Sequence, residues 1–219
     1  AQHCQDLAVR LYTQYQVDAP YRPDAEQSGA RALANAALAL ITRTDGGAQA
    51  QRQYDAATNM TQQLAALSCL LQAGKGDRAT AQFYDQWRDD RLVIDKWFMM
   101  QIINADPEEA ATVAERLTQH PDFGMKNPNR FRATLGALAA NPAGFHHVRG
   151  AGYRLLADWL IRLDPVNPQT TARMCSAFET WKRYDDQRQA MIAQELDRIL
   201  APPNLSRDTM EMVSRIRGV

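Results

Sequence analysis

The chain has 219 residues, which is long enough to bury the core of one sizeable domain without disulfides or metals. Basic and acidic residues number 25 each, so no net charge attracts the chain to nucleic acid or to an anionic membrane surface. Hydrophobic residues make up 45% of the chain and charged residues 23%, proportions that exclude a disordered or collagen-like polypeptide.

The spacing of the cysteines and the lengths of the apolar runs indicate the cellular compartment of the protein. Cys4, Cys69 and Cys175 are odd in number and far apart, without the close spacing of a zinc knuckle or a redox pair, which is typical of a reducing compartment. No apolar run approaches the roughly 18 residues that a membrane-spanning helix needs. We therefore expect a cytoplasmic protein that does not cross a membrane.

Helical periodicity runs through the sequence, whereas the alternation typical of strands is nearly absent. A first helix is predicted over residues 4–15. Two later segments each place apolar residues on one face at helical spacing. They predict two core stripes, formed by Leu33, Ala36, Ala37, Leu40 and Ile41 and by Met60, Leu64, Leu67, Leu70 and Leu71. Cys69 lies within the second stripe and is predicted to belong to the core.

Polar residues followed by proline mark several predicted helix starts. Asp106-Pro107-Glu108-Glu109 matches a capping box with proline at the first helical position, which predicts a helix that begins at Pro107. The same cap-and-proline pattern recurs at Asn127-Pro128, Asn141-Pro142, Asp164-Pro165 and Asn167-Pro168, and Ser206 offers a cap for a last short helix. Breaks between helices are predicted at Gly46-Gly47, Gly74-Lys75-Gly76 and Pro202-Pro203.

These boundaries predict an all-α fold of about ten helices with short connections, so that neighbouring helices are antiparallel. The expected architecture is a curved array of stacked helical hairpins, an α-α superhelix, although no strict sequence period identifies a named repeat. No change in composition divides the chain. We therefore expect a single helical domain over residues 1–219.

The sequence carries no recognisable catalytic or metal-binding motif. The four histidines, His3, His120, His146 and His147, include no H-E-x-x-H, and His146-His147 is interpreted as a solvated or capping pair. There is no G-x-S-x-G motif, and Gly150-Ala151-Gly152 lacks the preceding strand of a phosphate loop. It is interpreted instead as a turn into a helix that begins near Tyr153. No residue is therefore predicted to be catalytic or to bind a metal.

Several other residues have more than one interpretation. The cluster of Trp87, Trp97, Phe98, Met99 and Met100 could line a ligand groove, but its helical spacing favours a core position. Asp89, Asp90 and Arg91 are interpreted as a solvated helix junction. Arg132 follows the cap at Asn127, and Gln169 lies one turn before Arg173 on the same helical face. Spacing alone favours surface salt bridges for both arginines.

The motifs also form an ordered set. They are Asn59-Met60-Thr61, Asp95-Lys96-Trp97-Phe98, His120-Pro121-Asp122-Phe123, Asn127-Pro128-Asn129-Arg130, Phe145-His146, Gly150-Ala151-Gly152-Tyr153, Asn167-Pro168-Gln169, Trp181-x-x-Tyr184-Asp185 and Leu205-Ser206-x-Asp208. In this order and spacing the chain resembles, nearly end to end, the C-terminal helical domain of bacterial-type aminopeptidase N, a family of zinc metalloaminopeptidases. His147 and Arg149 match no pattern of that family to which a role can be assigned.

The resemblance implies a role without catalytic residues of its own. Enzymes of this family remove the N-terminal residue of peptides, and the zinc ion and catalytic groups lie in an upstream thermolysin-like domain of the same chain. The C-terminal domain closes over the active site and admits peptides through narrow channels. By resemblance, Arg132, Gln169 and Arg173 would line the substrate channel and contact the distal part of the peptide. The chain is shorter than the complete helical domain of such enzymes, so a truncated C-terminal domain of a monomeric enzyme is expected.

A second class of function stays open at this point. The chain could be a free-standing helical-repeat scaffold that binds a protein or a peptide on its concave face. The reading frame upstream of Ala1 would discriminate between the two, since an H-E-x-x-H motif there favours the enzyme. A helical enzyme with an unrecognised site is the weakest alternative, because no convergent set of titratable residues is evident.

Overall fold

The structure is a computed structural model that describes residues 4–219, so His3 lies outside the described residues. Over this range every regular element is a helix, which confirms the predicted all-α fold. Eleven of the described helices have eight or more residues, close to the predicted number of about ten. None of them combines the length and the apolar composition that a membrane crossing requires.

The chain divides into two compact units, with the boundary between Asp89 and Asp90. This boundary lies at the predicted helix junction, where the exposed Asp90 side chain accepts hydrogen bonds from the backbone N–H groups of Leu92 and Val93. Each unit has its own set of buried apolar side chains. The single domain over residues 1–219 stays a prediction.

Five helices form the first unit: α1 (Gln5–Gln14), α2 (Ala25–Asp45), α3 (Ala48–Ala56), α4 (Met60–Gln72) and α5 (Asp77–Trp87). Helix α1 packs against α2, and α4 contacts α2, α3 and α5. The predicted break at Gly46-Gly47 ends α2, and the break at residues 74–76 separates α4 from α5. The first helix, predicted over residues 4–15, is confirmed by α1.

The predicted core stripe of α2 is partly wrong. Ala37 and Ile41 are buried, but Leu33 and Leu40 are 37% and 42% exposed, and Ala36 is also exposed. The buried face is rotated toward Arg31, Ala34 and Leu38. Because α2 carries alanine and leucine on most of its circumference, apolar spacing alone does not identify the face that packs. The stripe on α4 is confirmed at Leu67 and Leu70, and Cys69 is buried as predicted.

A buried glutamine joins four helices of the first unit. Gln53 on α3 is 6% exposed, and its carbonyl oxygen accepts a hydrogen bond from the Tyr12 hydroxyl of α1 at 3.0 Å. Its amide nitrogen donates to the Asn35 side chain of α2 and to the Gln62 carbonyl oxygen of α4, both at 2.9 Å. A fully bonded buried amide fixes the relative positions of its neighbours, because breaking any of these bonds leaves a buried group without a partner.

The second unit contains the remaining helices. They are α6 (Arg91–Ile103), α7 (Ala110–Thr118), α8 (Pro128–Phe131), a π-helix (Arg132–Gly136), α9 (Ala137–Ala139), α10 (Pro142–Phe145), α11 (Ala151–Leu163), α12 (Pro168–Cys175), two 3₁₀ turns (Ser176–Phe178 and Trp181–Arg183), α13 (Asp186–Leu200) and α14 (Arg207–Arg217). Helix α11 packs against α12 and α13, and α14 packs against α12 and α13. Trp97 and Phe98 are core residues, as their helical spacing predicted.

Most of the predicted helix starts of this unit are confirmed. Asn127, Asn141 and Asn167 each accept backbone hydrogen bonds through the side-chain oxygen, with proline at the start of the following helix. Ser206 caps α14 in the same way. Asn141 also donates from its amide nitrogen to the carbonyl oxygens of Ile102 and Ala105, so this cap ties α10 to the end of α6.

Two predicted starts are wrong. Helix α7 begins at Ala110 and not at Pro107, because residues 107–109 form a turn in which Asp106 accepts a hydrogen bond from the Glu108 N–H. No helix starts after Asp164, which instead ends α11. A short polar side chain can bond the nearby backbone in a turn as well as in a helix start, so the cap-and-proline pattern does not separate the two.

The Asp164 carboxylate is a buried anchor for the C-terminal helix. Asp164 is 3% exposed, and its oxygens accept hydrogen bonds from the Ser206 N–H at 2.8 Å, the Ser206 hydroxyl at 2.6 Å and the Thr209 hydroxyl at 2.6 Å. Ser206 and Thr209 begin α14, and Thr209 is fully buried. Three donors compensate the lost hydration of this carboxylate and hold the start of α14 against the end of α11.

Replacement of Asp164 by asparagine should destabilise the fold strongly. An amide presents a donor where the carboxylate accepted a hydrogen bond, so at least one buried donor of α14 loses its partner, at a cost of about 2–3 kcal/mol. Urea denaturation followed by circular dichroism measures this free energy of unfolding. Asp186→Asn, at an exposed position in the same unit, is the matched control and should cost less than about 1 kcal/mol. Equal losses for the two variants would contradict the anchoring role.

Candidate functional site

The three side chains that the resemblance predicted to line a substrate channel all belong to the second unit. Arg132 begins the π-helix, while Gln169 and Arg173 lie one turn apart on α12. All three are exposed. Among the described residues, neither Arg132 nor Arg173 forms an ion pair, so the salt bridges that spacing favoured are not formed within residues 4–219.

Local geometry sets the position of Arg132. Its guanidinium donates a 2.6 Å hydrogen bond to the side-chain oxygen of Asn129, one turn earlier. The turn that follows is a π-helix, in which the buried Thr134 hydroxyl donates to the Arg130 carbonyl oxygen at 2.9 Å. Short π-helical turns inside helices are frequent at functional sites, because the wider turn changes the direction of the side chains around it.

Gly136 brings the π-helix close to α12. A Cβ atom added to Gly136 would lie 3.6 Å from the Arg132 Cβ and 3.6 Å from the Met174 methyl carbon. Met174 is 9% exposed and directly follows Arg173. The second unit therefore brings the turn that carries Arg132 beside the helix that carries Arg173, a juxtaposition that sequence spacing could not predict.

A buried ion pair holds the segment before Arg132. Arg130 is 5% exposed and its Nε donates to an Asp95 carboxylate oxygen of α6 at 2.6 Å. The same guanidinium donates to the Asp122 carbonyl oxygen and lies 4.6 Å from the centroid of the Phe98 ring. Charge pairing, hydrogen bonding and cation–π contact together compensate the burial of this arginine. Both residues belong to sequence motifs, but nothing in their spacing indicates that they pair.

The interpretation of His146 as a solvated residue is wrong, although the residue does occupy the C-cap position of α10. Its ring stacks on Tyr184 with a centroid separation of 3.9 Å, and its Nδ1 lies 3.0 Å from the hydroxyl oxygen of the buried Tyr153. The His146 carbonyl oxygen accepts a 2.6 Å hydrogen bond from Arg188, which also pairs with Asp185. The nearness of Tyr153 and Tyr184 in the fold, and not any local pattern, brings these side chains together.

The turn at residues 150–152 places Tyr153 in this cluster. Gly150 has a φ of +65°, a left-handed conformation that other residues adopt only at a cost. A Cβ atom at Gly152 would lie 2.8 Å from the Phe145 carbonyl oxygen, so only glycine permits the observed approach of α11 to α10. The predicted turn into a helix near Tyr153 is thereby confirmed, with α11 beginning at Ala151.

Burial changes the protonation of several side chains. Desolvation, assisted by the positive charge of Arg188, lowers the pKa of His146 to about 4. Desolvation also raises the pKa of Tyr153 well above its ordinary value. Burial raises the pKa of the Cys69 thiol, and that of Cys175 to about 12, so both cysteines stay protonated and unreactive at neutral pH.

The described residues offer no donor set for a metal ion. Within residues 4–219 there is no group of three or more His, Cys, Asp or Glu side chains that could hold one. His146 is occupied by its contacts with Tyr153 and Tyr184, and His120 packs against the rings of Trp97 and Phe98. Desolvation lowers the pKa of His120 as well.

The lowered pKa of His146 predicts a pH dependence of stability. The ordinary histidine pKa is near 6.5, so between that pH and about 4 the unfolded chain binds a proton that the folded chain does not bind. The stabilisation from neutral His146 is complete above about pH 6.5 and is lost as the pH falls toward 4. Urea midpoints measured between pH 7.5 and 4.5 should therefore decline less steeply in His146→Asn than in the unsubstituted chain.

The neighbouring residue supplies the control for this experiment. His147→Asn should reproduce the pH dependence of the unsubstituted chain, because the His147 ring takes no part in the stack with Tyr184. If His146→Asn and the unsubstituted chain lose stability in parallel over this pH range, His146 does not titrate as its surroundings indicate.

Comparison with known proteins places this geometry in a family. A family profile described as "Domain of unknown function (DUF3458_C) ARM repeats" matches residues 1–218. Armadillo repeats stack helix pairs into superhelices, in agreement with the predicted array of stacked helices. The chain is 38% identical over 224 aligned residues to aminopeptidase N of Caulobacter vibrioides, and the alignment covers 100% of this chain and 26% of that protein.

Two other relatives and one solved structure also match this chain over nearly its whole length. Aminopeptidase N of Haemophilus influenzae is 36% identical over 98% of this chain, and that of Escherichia coli is 34% identical over 96%; the matched part is 25% of each protein. A crystal structure of Legionella pneumophila aminopeptidase A in complex with aspartic acid superposes with a TM-score of 0.90 and 29% identity. The superposition covers 99% of this chain and 27% of that one.

The chain thus spans about a quarter of the length of the relatives that it matches, and the matched part is their C-terminal quarter. This agrees with the resemblance carried by the sequence motifs. The chain belongs to the family of ARM-repeat domains described as DUF3458_C, the helical C-terminal domains of aminopeptidase N.

Proposed function

We propose that this chain is the C-terminal helical part of a zinc aminopeptidase that removes N-terminal residues from peptides, and that this part makes no covalent change itself. The observation that carries the proposal is the identity of 34% to 38% with three proteins named aminopeptidase N, over 96% or more of this chain. The matched region extends over nearly the whole of this chain.

The catalytic zinc ion would be held by residues outside positions 4–219. A catalytic zinc site needs three protein ligands that converge on one point, together with a water molecule. The described residues do not offer such a set, and the partly buried His146 is occupied by its tyrosine neighbours. An upstream thermolysin-like domain of the same polypeptide would supply the metal, and no chemical step is assigned to residues of this chain.

The contribution of this chain would be to enclose the active site, control access to it and bind the distal part of the peptide. Arg132, Gln169 and Arg173 are the residues assigned to this contact. Their support is that all three are exposed, and that both guanidinium groups are free of ion pairs within the described residues. A guanidinium donates several hydrogen bonds in a fixed plane, which suits peptide carbonyl oxygens and carboxylates.

Further features belong to the same proposal. The enzyme would be a cytoplasmic monomer that acts on peptides and not on nucleic acid. Support for the exclusion of nucleic acid comes from the equal numbers of basic and acidic residues, 25 of each. Widely spaced cysteines, of which Cys69 and Cys175 are buried and unpaired, support a reducing compartment.

The isolated 219-residue chain should not hydrolyse aminoacyl p-nitroanilides, with or without added zinc. Hydrolysis requires a zinc-bound water, and the described residues offer no group of three side chains that could hold a zinc ion. The measurement is release of p-nitroaniline by the purified chain, compared with the full-length protein that contains it. Zinc-dependent turnover by the chain alone at a rate close to that of the full-length protein would contradict the proposal.

In the full-length protein, Arg173→Ala should raise the KM for tetrapeptides about tenfold and leave the KM for aminoacyl p-nitroanilides within about twofold. Loss of one charge-assisted hydrogen bond costs about 1.5 kcal/mol, and only a peptide is long enough to reach this residue. Arg132→Ala should have a smaller effect in the same direction.

Arg116→Ala is the matched control, because Arg116 is also an exposed arginine of the second unit without an ion pair among residues 4–219. It should leave both KM values unchanged. An equal increase of KM for peptides and for p-nitroanilides in Arg173→Ala would show that this residue acts on the structure and does not contact the distal peptide.

A further inference from the structure

An open groove crosses the second unit between the start of α6 and the segment that precedes α8. Its walls are formed by Arg91, Leu92 and Asp95 of α6 on one side and by Lys126, Asn127 and Asn129 on the other. The cavity volume is about 670 Å³, enough for one or two amino-acid residues of a bound peptide. None of the residues assigned to peptide contact so far, Arg132, Gln169 and Arg173, lines this groove.

The groove carries a net positive charge. Its one acidic side chain, Asp95, is paired with the buried Arg130 through a 2.6 Å contact, so its negative charge is compensated by the protein itself. Arg91 and Lys126 are exposed, and neither forms an ion pair within the described residues. Two cationic side chains therefore face the groove without an ion-pair partner among residues 4–219, in a chain that is neutral overall.

An apolar contact lies beside these charges. Leu92 is 69% exposed, the most exposed large apolar side chain of the second unit apart from the C-terminal Val219. A single exposed leucine is ordinary on a protein surface. Because Leu92 lines the groove together with Arg91, however, it provides a surface on which the aliphatic part of a bound residue could pack.

The groove adjoins a residue already assigned to substrate contact. The side-chain oxygen of Asn129, which lines the groove, accepts the 2.6 Å hydrogen bond from Arg132. Arg132 therefore borders one end of the groove. Through Asn129, the groove with its two further cations is thus linked to a residue already proposed to contact the peptide.

The wall that carries Lys126 is held in place before any ligand binds. Asn127 accepts hydrogen bonds from the backbone N–H groups of Asn129 and Arg130, and Arg130 is fixed by Asp95, by the Asp122 carbonyl oxygen and by the Phe98 ring. A binding surface of defined shape loses less conformational entropy when a ligand binds.

We propose that this groove binds a carboxylate of the peptide substrate distal to the scissile bond, with Arg91 and Lys126 as its cationic partners and Leu92 as the apolar contact. The inference rests on the proposed aminopeptidase function. The carboxylate comes either from an acidic side chain or from the C-terminus of the peptide, since both present the same charge and oxygen geometry. The enzyme would therefore prefer peptides with negative charge at their distal end.

The test uses the full-length protein and three peptides, compared in two pairs whose members differ by one carboxylate. Ala-Leu-Ala-Glu amide and Ala-Leu-Ala-Gln amide isolate the side-chain carboxylate, whereas Ala-Leu-Ala-Gln as the free acid and as the amide isolates the terminal carboxylate. At low ionic strength the peptide with the carboxylate should have a KM about three- to tenfold below that of its neutral partner in at least one pair. The pair in which the carboxylate-bearing peptide has the lower KM identifies the source of the carboxylate.

Substitutions of the groove residues then test which side chains cause the preference for a carboxylate. Lys126→Gln and Arg91→Gln should each reduce the preference for the carboxylate, and the double variant should abolish it. Lys96→Gln is the matched control, because Lys96 is an exposed lysine of α6 that does not line the groove. The assignment would be overturned if the preference survives in the double variant, if it disappears equally in Lys96→Gln, or if the unsubstituted enzyme shows no preference.

Equilibrium binding separates this inference from the proposed function. The same three peptides, labelled with a fluorophore at the N-terminus, report binding through fluorescence anisotropy without any hydrolysis. If the protein hydrolyses no peptide but binds the carboxylate-bearing members more tightly through Lys126 and Arg91, the aminopeptidase proposal fails and the groove assignment stands. If peptides are hydrolysed without a preference for a carboxylate in either assay, the groove assignment alone fails.

Discussion

The ion pair between Arg130 and Asp95 supports the candidate site of the second unit. It joins α6 to the segment that carries Asn127, Asn129 and Arg132, and it does so through a guanidinium that is almost completely buried. A charge in this position is stable only with its partners, because its removal from water is costly and the pairing, the carbonyl contact and the Phe98 ring offset that cost. The exposed cations beside it are therefore presented on a fixed segment.

The same pair shapes the electrostatics of the groove. Without Arg130, the Asp95 carboxylate would repel an anionic ligand from the pocket that it lines. With Arg130 present, the positive charges of Arg91 and Lys126 dominate. One buried interaction thus holds the segment that carries Arg132 and Lys126, which are proposed to contact the peptide, and determines the sign of the charge that the groove presents.

Buried polar groups set the relative positions of the other elements. Asp164 receives three hydrogen bonds and fixes the start of α14, Gln53 receives or donates three and joins the helices of the first unit, and His146 bonds Tyr153 while it stacks on Tyr184. Apolar packing tolerates small shifts, whereas a buried acceptor without its donor loses a defined amount of free energy. These groups therefore specify which helices meet and at which residues.

The sequence by itself determined the helical class, most of the helix boundaries and the family. Caps at Asn127, Asn141, Asn167 and Ser206 depend on bonds to residues two or three positions away, and the apolar period of a helix spans only a few residues. Gln169 and Arg173 were correctly assigned to one helical face for the same reason. The local patterns failed where one motif serves two purposes, as at Asp106 and Asp164.

Only the tertiary structure decided which residues meet across the chain. The partners of Arg130, Asp164 and Arg188 lie 35, 42 and 42 positions away, and no spacing rule connects them. It also decided which face of α2 is buried, since the helix carries apolar residues on most of its surface and Leu33 and Leu40 are exposed. The groove beside Arg132 is of the same kind, because its charge depends on the pairing of Asp95 with a residue of another helix. Local hydrogen bonds and periodicity are encoded in neighbouring residues, whereas burial and charge compensation exist only once distant segments have packed together.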